Sequence, residues 1–133
     1  MSPENRKANI QEELSRAREA YQEALVLFEK EFFNGGASRL YYYTFHLVRA
    51  LLLTKGLEPK SHDGALRLLG LHFVKTGILE PADSHLFARL MKYREEADYN
   101  PSSVFTSEDA RQLTQEVRQL EEKILKHIAN PTE

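Results

Sequence analysis

The sequence predicts an all-α fold, an antiparallel up-and-down bundle of four long helices plus one shorter helix. Three observations carry this expectation. Apolar residues recur at steps of three and four along nearly the whole chain, the breaks between these stretches are short, and no segment requires a β-strand. A chain of 133 residues fits one domain, taken here as residues 1–133, with one continuous core.

The first helix is marked by Ile10, Leu14, Ala17, Tyr21, Ala24 and Phe28, which form one apolar stripe. Asn34-Gly35-Gly36 is expected to end it, because glycine accepts the left-handed conformation that closes a helix. A second helix from Ala37 to Lys55 is apolar almost all round: Leu40, Tyr41, Tyr43, Phe45, Leu47, Val48, Ala50, Leu51 and Leu52. A helix of that kind is central in a bundle or buried by a partner chain. Gly56 and Pro59 interrupt, and Ser61 is a good N-cap for a third helix running to about Lys75. Gly77 marks the next break, and Pro81 suits the first turn of a fourth helix carrying Leu86, Leu90, Tyr93 and Ala97, up to Tyr99. Asn100-Pro101-Ser102-Ser103 reads as a loop. Thr106 then opens the last helix, with Asp109 completing a short-armed capping box and Ala110, Leu113, Val117, Leu120, Ile124 and Ile128 on its inner face.

Composition excludes several classes of function. Without cysteine the chain has no disulfide framework, thiolate nucleophile or cysteine-ligated metal. A net charge of −2 argues against wholesale electrostatic binding to nucleic acid. No uncharged apolar stretch approaches the roughly 18 residues of a membrane span, and the charged N-terminus lacks a signal-peptide core. A small cytoplasmic domain is expected, with no cofactor and no metal. The charge is unevenly placed, however. Residues 37–75 hold six basic residues against two acidic ones, whereas residues 80–133 hold seven basic against eleven acidic. One face or end of the bundle is therefore expected to be basic.

Two stretches carry candidate chemistry. In Arg94-Glu95-Glu96-Ala97-Asp98-Tyr99, Arg94 and Asp98 project from the same helix face. An arginine held by its aspartate can grip phosphate bidentately; the competing reading is a surface salt bridge. In Tyr41-Tyr42-Tyr43-Thr44-Phe45-His46, Tyr42 and His46 share a face. A histidine with a tyrosine one turn away suits acid/base work or nucleobase contact, and the competing reading is an aromatic core with one satisfied histidine. No His-x-x-x-His, glycine-rich phosphate loop or Gly-x-Ser-x-Gly elbow is present. The paired glutamates 12/13, 95/96 and 121/122 suit solvent better than a bridged metal.

The stretch from Ala37 to Leu52, ASRLYYYTFHLVRALL, resembles the second helix of HEPN domains, helical proteins of prokaryotic nucleotide-binding systems. Ser61-His62, Phe73-Val74-Lys75-Thr76-Gly77 and Arg94-Glu95-Glu96-Ala97-Asp98-Tyr99 are similar to motifs of the same family in the same order. The resemblance implies a helical bundle that forms homodimers and is paired with a minimal nucleotidyltransferase in a toxin–antitoxin-like module. It also implies contact with nucleotide or RNA phosphate, here through Arg94, Asp98, Tyr99, Tyr42 and His46. Several family members cleave RNA without metal through Arg-x(4–6)-His, and in some a tyrosine beyond that histidine is adenylylated. This chain departs from the pattern, because Tyr99, Asn100 and Pro101 occupy the histidine positions after Arg94. Arg39…His46 and Arg67…His72 match formally, but about one chance match is expected in such a sequence. The leading expectation is accordingly a phosphate-binding partner protein. The alternatives are a metal-independent ribonuclease with Arg94 and His46 as catalytic residues, and a non-catalytic dimeric scaffold.

Overall fold

The computed structural model describes residues 2–99 and 105–131. They form five α-helices, α1 (Pro3–Glu29), α2 (Phe33–Leu53), α3 (His62–Leu69), α4 (Pro81–Tyr99) and α5 (Ser107–Ala129), with a π-helical turn, Gly70–Val74, directly after α3. The expected loop at Asn100–Ser103 lies outside the described residues. No helix among the described residues is long and apolar enough to cross a membrane.

The α2 helix is the centre of the bundle. It packs most extensively on α1 and also touches α3, α4 and α5. Its all-round apolarity is therefore used within the chain: Leu40, Tyr41, Tyr43, Leu47, Val48, Leu51 and Leu52 are fully buried. A partner chain is not needed to explain this helix.

Local chemistry sets most helix ends as expected. Ser61 Oγ accepts from the Gly64 amide at 2.8 Å to open α3, and Pro81 begins α4. Thr106 and Asp109 form a reciprocal capping box at 3.1 and 3.0 Å.

Two boundaries differ from the sequence expectation. The α1 helix ends before the glycines, and the left-handed residue of the turn is Glu31, with φ 63°. Asn34-Gly35-Gly36 instead lies in the opening turns of α2. Gly36 is needed there for close approach, since a Cβ on it would meet the Phe28 ring at 2.2–2.3 Å. The third helix also stops short of Lys75 as an α-helix. From Gly70 its hydrogen bonding widens by one residue, and the Lys75 amide donates to the Gly70 carbonyl at 2.9 Å.

Candidate phosphate site at the meeting of α2, α3 and α4

The central helix supplies a run of aromatic side chains, and the flanking helices supply polar groups to it. Tyr41 is fully buried with its ring parallel to Phe87 of α4 at 5.8 Å. The Ser61 cap fixes His62 as the first residue of α3 and lays its ring on Phe45 at 4.6 Å, nearly parallel. The same imidazole lies 5.3 Å from the Tyr41 ring, and its Nδ1 is hydrogen-bonded to the Tyr41 hydroxyl. Burial raises the phenol pKa above its ordinary range, so this hydroxyl stays protonated and is able to donate to the ring nitrogen. Burial and the nearby Arg94 charge lower the His62 pKa below 6.5, which leaves the ring neutral at pH 7.

Arg94 reaches the same rings from α4. Its guanidinium lies 5.7 Å from the Tyr41 ring centre and 5.5 Å from that of Tyr42. Arg39 of α2 sits 4.8 Å from the Tyr42 ring as well. The expected partner Asp98 is present but distant, with Arg94 Nε and Asp98 Oδ2 3.6 Å apart. That is outside hydrogen-bonding range. The Nε group is buried and has no hydrogen-bond partner among the described residues. Tyr99 is 79% exposed.

The structure thus brings Arg94, Asp98 and Tyr42 together and leaves Tyr99 at the rim. His46 takes a different position. Its Nδ1 lies 2.8 Å from Glu13 Oε2 of α1, and the other oxygen of Glu13 lies 3.3 Å from Arg49 Nε. Burial acts to raise the Glu13 pKa, but the His46 hydrogen bond together with the Arg49, His46 and Arg16 charges leaves it below 4.5. The histidine beside Arg94 is therefore His62, and the described contacts of His46 tie it to α1. The Arg67…His72 pair does not join the cluster either; the His72 carbonyl accepts from Lys55 Nζ and Thr76 Oγ1, both at 2.8 Å. Part of the basic excess of residues 37–75 is also matched locally, since Arg39 pairs with Glu23 at 3.5 Å and Arg49 with Glu13. Among the described residues no group of three or more His, Asp or Glu side chains could hold a metal ion.

Sequence spacing did not reveal the roles of Tyr41 and His62. The available signal was the Ser61-His62 pair, a capped helix start that presents a histidine at its first residue. Nothing in the linear order connects it to Arg94, thirty-two positions later.

The HEPN domain family profile matches residues 10–128. The chain belongs to the HEPN domain family. Two proteins of Methanocaldococcus jannaschii, each named as a candidate toxin, are similar to it. One is 34% identical over 90% of this chain and 88% of its own length. The other is 32% identical over 80% of this chain and 73% of its own. A UPF0332 protein of Thermotoga maritima is 34% identical over 72% of this chain and 73% of its own. In this HEPN domain the segment Arg94–Tyr99 lies within the matched region, and so do the α2 aromatics and His62.

Proposed function

We propose that this HEPN domain binds a nucleotide or RNA phosphate at Arg94 and serves as the toxin-like member of a two-component module. The observation that carries the phosphate reading is the state of the arginine. It is held by two tyrosine rings, its Nε is buried, and its ion-pair partner among the described residues, Asp98, stands 3.6 Å away. A buried donor without an acceptor is unfavourable by about 1–3 kcal/mol, and a phosphate oxygen satisfies it with charge-assisted hydrogen bonds in the fork geometry peculiar to guanidinium.

In this reading Tyr41 and Tyr42 fix the plane of the guanidinium and Arg39 adds positive potential beside Tyr42. Tyr99, exposed one residue beyond Asp98, offers a ring on which a base can stack. The module assignment is supported by the names of the two M. jannaschii relatives and by the family resemblance, which brings with it a homodimer and a minimal nucleotidyltransferase partner in the cytoplasm. Co-purification with such a partner, and a solution mass of twice 15.4 kDa, are the corresponding expectations.

The decisive experiment measures fluorescence anisotropy of fluorescein-labelled hexauridylate with wild type and Arg94→Ala. Binding that weakens about tenfold or more at unchanged thermal stability supports the reading, because one charge-assisted contact is worth about 1.5–3 kcal/mol. Unchanged binding with a lower melting temperature makes Arg94 a packing residue.

A further inference from the structure

Arg94 is not the only donor left open at this site. The Tyr41 hydroxyl occupies His62 Nδ1, and the ring lies flat against Phe45, 5.3 Å from the Tyr41 ring. A neutral imidazole that accepts at Nδ1 carries its hydrogen on Nε2. Among the described residues that Nε2–H has no hydrogen-bond partner. Two donors from different helices, Arg94 of α4 and His62 of α3, thus flank the same tyrosine ring at 5.7 and 5.3 Å; among the described residues Arg94 Nε makes no hydrogen bond and His62 makes none beyond that of its Nδ1.

We propose that His62 is a second ligand-contacting residue of the Arg94 site, its Nε2–H donating to an oxygen of the phosphate group that Arg94 grips. The proposal rests on the reading of Arg94 as a phosphate ligand and adds a residue outside the Arg94–Tyr99 segment. Tyr41 acts on the ligand only through His62. It selects the imidazole tautomer by donating to Nδ1, which makes it a positioning residue. The pair also defines what His62 supplies in this state. With Nδ1 engaged and Nε2 protonated, the ring has no free lone pair, so it serves as a hydrogen-bond donor and not as a base.

The chemistry separates two substitutions. His62→Phe keeps a flat ring for Phe45 and Tyr41 but has no N–H. His62→Gln loses the ring and keeps an amide N–H close to the position of Nε2. Both are assayed for hexauridylate binding by anisotropy alongside wild type and Arg94→Ala, with thermal melts as a control on folding. The expected result is about tenfold weaker binding for His62→Phe and binding within about threefold of wild type for His62→Gln. If His62→Phe binds like wild type while Arg94→Ala has lost binding, the role of His62 is overturned and the Arg94 reading stands. If Phe and Gln weaken binding equally, the imidazole acts by shape and the donor role is overturned. If wild type does not bind the oligonucleotide, the Arg94 reading falls and this inference with it.

Discussion

The two sides of α2 use the same residue types to opposite effect. On the α1 side, a histidine and an arginine, His46 and Arg49, meet one carboxylate, Glu13, whose two oxygens each face one of them. On the α3–α4 side, a histidine and an arginine, His62 and Arg94, meet aromatic rings and a phenol, and the nearest carboxylate to Arg94 stands off at 3.6 Å. In the first cluster Glu13 is hydrogen-bonded to His46 and lies 3.3 Å from Arg49 Nε, which, like Arg94 Nε, is buried without a hydrogen-bond partner among the described residues. The second differs in counter-charge: no carboxylate is shared by His62 and Arg94, and Asp98 is 3.6 Å from Arg94, a setting that favours an anionic ligand. The contrast teaches that a histidine near an arginine is not in itself a site; the acceptors around the pair decide whether it is one.

The largest expected difference between the sides is in stability. Glu13→Gln preserves shape but leaves Arg49 without its counter-charge. Breaking a fully buried pair costs about 3–5 kcal/mol; His46 and Arg49 retain some contact with water, so a loss of about 2 kcal/mol in urea denaturation is expected. Hexauridylate binding should stay within about twofold of wild type, since the carboxylate belongs to the other face. A stable Glu13→Gln protein that no longer binds would erase the distinction between the two clusters.

Acid should separate the sides next. The His62 pKa is lowered in the folded chain, so the unfolded chain takes up its proton first as the pH drops. The stability contributed by neutral His62 is present above about pH 6.5 and is lost as the pH falls through its lower folded value. His127, lowered by burial and by Lys55, adds to the same window. The Glu13 contribution is present above about pH 4.5 and disappears only at more acidic pH. Melting temperature followed from pH 7.5 to 3.5 should therefore decline in two stages. His62→Gln should flatten the first stage in part and Glu13→Gln the second. Loss of the first stage in Glu13→Gln would contradict the assignment.

The smallest effect is expected at Asp98. An ion pair at 3.6 Å on a partly exposed carboxylate contributes a few tenths of a kcal/mol. Asp98→Asn should leave stability nearly unchanged and shift hexauridylate binding by no more than about threefold. A tenfold loss would show that Asp98 orients Arg94 strongly despite the distance.

Much of the fold was legible from sequence because helix spacing and capping act locally. The stripes of α1 and α5, the Ser61 cap, Pro81 and the Thr106–Asp109 box needed no knowledge of neighbours. The errors arose where tertiary contact overrode a local rule. The glycines at 35 and 36 resemble a helix stop, yet Gly36 serves the packing of Phe28, and Glu31 makes the turn. The apolar circumference of α2 was equally legible, but its two possible causes differ only in what surrounds it, and the structure supplies α1, α3, α4 and α5. At the site, Arg94, Asp98 and Tyr42 were found through helical spacing and family resemblance. His46 stands out in the sequence because it shares a helix face with Tyr42, and sequence alone does not show that Glu13 of α1 engages it.

The central claim is that His62 and Arg94 on the α3–α4 side await an anionic ligand, whereas His46 and Arg49 on the α1 side already share the Glu13 carboxylate. The most direct test records the imidazole nitrogen resonances of His46 and His62 while hexauridylate is added to the labelled protein. The account predicts a free-state His62 with its hydrogen on Nε2, whose resonances move saturably with the binding curve while those of His46 stay in place. Movement of His46 with His62 unaffected, or binding that leaves both unmoved, would contradict it.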